Sequence, residues 1–180
     1  MTKTYELTIG PLKRELPLIK INPTTTIASF VLLGDAELTC YAAKQLGQKL
    51  ANVDFDYLVT MESKGIPLAQ ELSDQTNHPH FIVLRKSVKD YMNDPLTESV
   101  HAITTSANQK LVLDRSDAAL IRNKRVVIVD DVISSGGSLN TAKLLLKKAG
   151  ATVVKQMSIL AEGEAANRTD IDYLAPLPLF

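Results

Sequence analysis

Asp130 and Asp131 stand side by side at the end of the apolar run Val126-Val127-Ile128-Val129, and Ser134-Ser135-Gly136-Gly137-Ser138 follows two apolar residues later. Each part has a chemical use. Gly136 and Gly137 let the backbone bend so that successive N–H groups point into one cavity. Ser134, Ser135 and Ser138 add hydroxyl donors, and a helix starting near Ser138 adds the positive end of its dipole. Together these make a cradle for a phosphate monoester. The two carboxylates repel phosphate, but they accept from sugar hydroxyls and suit a Mg²⁺ ion that bridges to a phosphorylated sugar. A phosphate cradle beside a diol-binding acid pair describes a site for ribose 5-phosphate. An ordinary strand–turn–helix needs neither the paired acids nor the hydroxyl-lined loop. The other common phosphate loops, G-x-x-x-x-G-K-[ST] and G-x-G-x-x-G, are absent.

The elements that must position these residues follow from the spacing of apolar residues. Residues 125–129 are β-branched and apolar on both faces, as a central parallel strand requires. Residues 130–137 read as the turn after it. Leu139, Ala142, Leu145, Leu146 and Ala149 mark the following helix, stopped by Gly150. Residues 152–160 read as another strand. Upstream, helical spacing of Leu38, Tyr41, Ala42, Leu46 and Leu50 predicts a helix over 35–51 with Asp35 as its N-cap. Strands are predicted at 57–61, 81–84 and 111–113. Helices are predicted at 66–75, with Pro67 in the first turn, and at 115–121. Residues 5–33, punctuated by Pro11, Pro17 and Pro23, read as two or three short strands. Residues 86–109 are polar, carry Pro95 and show no sustained period, the pattern of a lid. Alternating strands and helices imply an α/β fold with a mainly parallel sheet, whose ligands sit beyond the carboxyl ends of the strands.

Composition sets the outer limits. The 180 residues suit one domain with a real core. Lys plus Arg and Asp plus Glu each number 20, a balance that argues against nucleic acid as a partner. Cys40 is the sole cysteine, which excludes a disulfide framework or a thiolate metal cluster; its amphipathic setting predicts a small core residue. His78, His80 and His101 have no ligand spacing, and Tyr5, Tyr41 and Tyr57 are scattered. With no membrane-length apolar run and no signal-peptide pattern at the start, the expectation is a cytoplasmic globular protein.

Residues 126–138 resemble the phosphoribosyl-pyrophosphate motif of type I phosphoribosyltransferases: four apolar residues, two acids, two apolar residues, then a Thr-Gly-Gly-Thr-like loop in which Ser135 and Ser138 stand for Thr. The resemblance runs over about 30–180. It implies the type I phosphoribosyltransferase fold, a mainly parallel central sheet flanked by helices. Residues 1–33 would be a small N-terminal hood, with 16–21 and 30–33 as its elements. Residues 34–180 would be the core and 87–110 a mobile lid. Glu62-Ser63-Lys64-Gly65 is similar to the family's pyrophosphate loop, with Lys64 where adenine enzymes have Arg. Arg85 and Lys86 match a basic pair that reaches pyrophosphate, and Lys89 and Tyr91 follow in the lid. The resemblance further implies catalytic roles for Asp130, Asp131 and Lys64, Mg²⁺ held at Asp130 and Asp131 through ribose and pyrophosphate, and a homodimer.

The resemblance also bears on the base. Hypoxanthine–guanine enzymes carry an acid at the position of Ser134; adenine and xanthine enzymes carry a small residue there. The Glu-Ser-Lys-Gly loop and the Phe-terminated tail also look closer to the adenine group. Against it, the lid stretch 102–106 lacks that group's Glu, and Glu98 is the nearest acid. Adenine leads and xanthine follows. A regulator that senses phosphoribosyl pyrophosphate without turnover, and a pyrimidine or orotate enzyme, remain as alternatives.

Overall fold

The structure, a computed structural model, describes residues 3–99 and 110–180. The chain opens with a three-stranded antiparallel sheet of β1 (Thr4–Ile9), β2 (Leu12–Asn22) and β3 (Thr25–Ala28), in that spatial order. β2 is longer than its prolines suggest because it serves two partners in turn. It pairs with β1 up to Thr4↔Pro17 and with β3 from Leu18↔Ala28 onward. Pro17 thus falls at the handover, where its missing N–H does least harm.

The helix predicted over 35–51 is α1 (Ala36–Leu50). Asp35 caps it by accepting from the Leu38 N–H at 3.0 Å. Leu38, Ala42, Leu46 and Leu50 are buried as their spacing requires. Cys40 is exposed, not a core residue. Two residues past Leu38, it lies about 200° further round the helix, on the water side.

Then follow β4 (Tyr57–Met61), α2 (Ile66–Gln75), β5 (Phe81–Leu84), β6 (Leu96–Ser99), β7 (Lys110–Leu113), α3 (Arg115–Ile121), β8 (Arg125–Ile133), α4 (Gly137–Lys148), β9 (Thr152–Glu162) and β10 (Asp172–Leu177). Five of these strands form one parallel sheet, β10-β9-β8-β4-β5. Alternation along β8 divides the core. Val127 and Val129 pack with α1, α2 and the N-terminal sheet, while Val126 and Ile128 pack with α3 and α4. Leu7, Ile9, Leu16, Ala28, Phe30 and Leu32 belong to the first of these layers, so the N-terminal sheet shares the main core. Phe180 ties the tail to it through paired backbone hydrogen bonds with Thr26.

Three expectations change. β8 runs through both aspartates to Ile133, where 130–137 was expected as a turn, because pairing with β9 continues to Ile133↔Ala161. The stretch 86–109 is not featureless: β6 pairs antiparallel with β7, and this ribbon joins the end of β5 through an Arg85↔Val112 bridge. Beyond β9, a 3₁₀ turn (Gly163–Asn167) leads into β10. Residues 30–33, expected as an element, carry no strand. His101 and 102–106 lie outside the described residues. Among the described residues, no helix is long and apolar enough to cross a membrane.

Candidate active site

From β4 the chain steps outward to β5, then returns to the other side of β4 as β8. This reversal opens a crevice at the carboxyl ends of β4 and β8, the place where open parallel sheets bind ligands. The two loops there are Glu62–Gly65 and Ser134–Gly136.

Both loops lead straight into helices whose first turns have no side-chain cap. α2 starts from Gly65 and α4 from Gly136, the latter in the left-handed conformation with φ +81°. The leading N–H groups of α4 therefore lack intrahelical and side-chain acceptors, whereas in α2 the Ile66 N–H turns to the Ser63 carbonyl at 3.3 Å and Pro67 has no N–H. Gly65 permits a close approach: a Cβ there would press on the Thr60 hydroxyl and lie 2.8 Å from Asp130 Oδ1. The Glu62–Ser63 peptide in this loop is cis.

Asp130 and Asp131 sit between the two loops. Ser63, Lys64, Lys86, Lys110 and Ser138 join them around one cavity of about 220 Å³. Ser134 to Ser138 line an adjoining cup of about 90 Å³. A third cavity, about 260 Å³, lies between the N-terminal sheet and the core; Ser29 and Phe30 form one wall and Lys64, Asp131, Ser134 and Glu162 the other.

The charges are arranged unequally. Burial, then the negative neighbour Asp131, pushes the Asp130 carboxyl well above the usual carboxylate range. Burial also raises Asp131, with Lys64 pulling the other way. The Asp131 N–H donates to Asp130 Oδ1 at 2.9 Å, yet Asp131 Oδ2 is buried with no partner among the described residues. Glu62 is opposite in character. It accepts from the Lys86 N–H at 2.9 Å, lies 3.3 Å from Arg85 and 3.8 Å from Lys89, and is held below the usual range, chiefly by that N–H.

The residues singled out in the sequence are thus distributed as follows. Asp130, Asp131, Glu62, Ser63, Lys64, Lys86 and Ser138 share the larger crevice cavity, while Gly65 lies behind it against Thr60 and Asp130. Ser134, Ser135, Gly136, Gly137 and Ser138 share the cup. Arg85 and Lys89 flank Glu62 instead of lining either space. Tyr91 is exposed.

Sequence reading missed three residues. Lys110 opens β7 and lines the larger crevice cavity. Glu162 closes β9 at the third cavity. Arg168 is gripped by Asp170 through two 2.8 Å hydrogen bonds, and its guanidinium leans on the cup: a Cβ on Gly136 would lie 2.5 Å from Arg168 Nη1. No spacing signal points to any of the three, since the sheet brings them in from distant segments.

The sequence and the fold have counterparts among known proteins. The chain belongs to the phosphoribosyl transferase domain family, whose profile matches residues 37–174. It is 34% identical over 116 residues to a hypoxanthine/guanine phosphoribosyltransferase of Methanocella paludicola, covering 64% of this chain and 56% of that protein. The chain thus matches little more than half the length of that relative. It is 33% identical over 140 residues to an adenine phosphoribosyltransferase of Thermosipho africanus, covering 78% of each. The fold resembles that of the adenine phosphoribosyltransferase of Thermoanaerobacter pseudethanolicus, with a TM-score of 0.66, 22% identity, and coverage of 96% of this chain and 95% of the other.

Proposed function

We propose that this protein transfers the 5-phosphoribosyl group of 5-phosphoribosyl-1-pyrophosphate to a purine base and releases pyrophosphate, with adenine as the preferred base. One observation carries the reading: two helix starts without side-chain caps face the same crevice on either side of an acid pair, and one of its buried oxygens, Asp131 Oδ2, has no partner among the described residues. That pattern offers two anion cradles flanking an acceptor for hydroxyls.

In this reading the cup of Ser134, Ser135, Gly136, Gly137 and Ser138 holds the 5-phosphate. Asp130 and Asp131 accept from the ribose hydroxyls. Ser63, Lys64, Gly65, Lys86 and Lys110 surround pyrophosphate, with Arg85 and Lys89 behind Glu62. The C1–O bond breaks as pyrophosphate departs with its electron pair, the bond from C1 to the base nitrogen forms, and the N–H proton of the base passes to the departing pyrophosphate. The reacting carbon gains oxocarbenium character, comparable to glycoside cleavage. Lys64 stabilises charge growing on pyrophosphate. Residues 87–110 act as a lid that keeps water from the carbon, over a core of 34–180 with residues 1–33 as the hood.

The donor set fits Mg²⁺: hard carboxylate oxygens, one of them buried without a partner. When bound at Asp130 and Asp131 with the substrate, the ion would neutralise polyphosphate charge. A cytoplasmic homodimer completes the reading.

Ser134, a small residue where hypoxanthine–guanine enzymes carry an acid, supports adenine first and xanthine next. The match to a hypoxanthine/guanine enzyme supports a 6-oxopurine as the second reading. The test is pyrophosphate release with adenine, xanthine, hypoxanthine, guanine, uracil and orotate offered singly. Turnover with adenine above the others is expected. Turnover with uracil or orotate alone would replace purine by pyrimidine, and silence with all six would leave a sensor.

A further inference from the structure

The third cavity contains a carboxylate for which the chemistry above has no use. Glu162 ends β9, is half-buried, and shares its wall with Lys64, Asp131 and Ser134. Its carboxylate takes no hydrogen bond or ion pair from any other described residue. Lys64, the cation on the same wall, turns its ammonium to the Phe30 carbonyl at 3.4 Å. Taking a carboxylate out of water without a partner is unfavourable, and burial already holds Glu162 above the ordinary range, with Lys64 opposing. A partnerless acceptor on a cavity wall is completed by a ligand that brings donors.

Position says which part of the ligand. Asp131 and Ser134 line both the ribose-phosphate side and this cavity. A base attached at C1 of that ribose therefore extends into the space bounded by Ser29, Phe30 and Glu162. Purines differ at ring position six. An amino group there donates two hydrogen bonds, whereas a carbonyl oxygen only accepts. An ionised carboxylate accepts and never donates. Against a ring carbonyl it meets a like partner; against an exocyclic amine it forms a charge-assisted hydrogen bond.

We propose that Glu162 is the specificity-determining residue for the base: it accepts from the exocyclic amine of a 6-aminopurine and rejects the carbonyl of a 6-oxopurine. This rests on the purine phosphoribosyltransferase reading, and the test separates the two. Glu162→Gln keeps size and shape but supplies an amide N–H₂ that donates to a carbonyl. The ratio of kcat/KM for adenine to that for hypoxanthine should fall at least about tenfold in the variant, a size ordinary for one inverted hydrogen bond in a base pocket. A ratio within twofold of the unmodified protein would overturn the proposal while leaving the transferase reading in place. Calorimetric binding of AMP and IMP gives a second readout that needs no turnover. The unmodified protein should bind AMP at least tenfold more tightly than IMP, and the variant should lose that margin. Equal affinity of the unmodified protein for the two nucleotides would also overturn it. Failure of the unmodified protein to turn over any base or bind either nucleotide would remove the transferase reading, and this proposal with it.

Discussion

Two carboxylate clusters in this molecule obey opposite rules. Where the N-terminal sheet meets α1, Asp35 has every oxygen engaged. Arg14 reaches it at 2.6 and 2.9 Å and also Glu37 at 2.8 Å, while the Leu38 N–H caps onto it. Arg14, above all, holds the Asp35 carboxyl below the usual range. In the crevice, burial pushes Asp130 and Asp131 upward, the charge of Asp131 adds to the rise of Asp130, and one Asp131 oxygen has no partner among the described residues. The helices follow the same division. α1 and α3 start from aspartates whose side chains accept from the helix, and α2 and α4 start from glycines that cannot. The rules of polar satisfaction are met where the chain needs only to fold and are left open where a ligand would complete them.

That contrast can be broken at its tightest point. Gly65→Ala should place a methyl group against Thr60 and Asp130 and lower kcat/KM for phosphoribosyl transfer by about 100-fold, close to 3 kcal/mol of transition-state free energy. Steady-state kinetics on a variant with unchanged circular dichroism would check it. A loss under threefold would mean that the close approach of α2 to Asp130 is dispensable.

Asp131→Asn should separate activity from stability. Turnover should fall at least tenfold, while the ligand-free melting temperature at pH 7 rises, because a buried unpaired charge is gone. The pH dependence follows from the sign of the shift. A carboxyl raised in the folded state contributes most below the unfolded pKa, about 4, and that contribution is lost as pH rises through the folded value. The variant's thermal advantage should therefore be present at pH 7 and vanish near pH 3.5. An advantage that stays constant across that range would point to packing in place of charge.

Arg168→Ala, behind the cup, should raise KM for phosphoribosyl pyrophosphate about fivefold with kcat little changed, if its guanidinium supports the Gly136 turn and phosphate charge. Arg168→Lys should restore part of that only if charge matters.

The smallest effect on activity belongs to the other cluster. Asp35→Ala should keep activity within about twofold yet lose roughly 1–2 kcal/mol of stability in denaturant titration, the usual worth of an N-cap. Its sign with pH is reversed. Asp35 is lowered in the folded state, so its contribution is present above about pH 4 and is lost on acidification. The deficit should shrink in acid.

Much of this architecture was legible in the sequence because the signals were local. Strand 57–61, helix 66–75, strand 81–84 and helix 115–121 have the predicted bounds, each being an apolar run or a helical period between turn residues. The misreadings are non-local. The extension of β8 over both aspartates depends on β9, and β6 is a four-residue strand that exists because β7 pairs with it. β10 lies in a short tail that gains its meaning beside β9. The site divides in the same way. Asp130, Asp131 and Ser134 to Ser138 are contiguous and declared themselves, whereas Glu162, Arg168 and Lys110 are brought in by topology. Cys40 shows a further limit: the helix was right, but the side chain's place around it put the thiol in water.

On the proposed reading the open crevice, not the satisfied junction, binds phosphoribosyl pyrophosphate. Calorimetric titration of that compound, with Mg²⁺, into the unmodified protein, Asp131→Asn and Asp35→Ala tests it most directly. Saturable binding to the unmodified protein and to Asp35→Ala with similar affinity is expected, and binding to Asp131→Asn at least tenfold weaker. Equal affinity for all three proteins would contradict it.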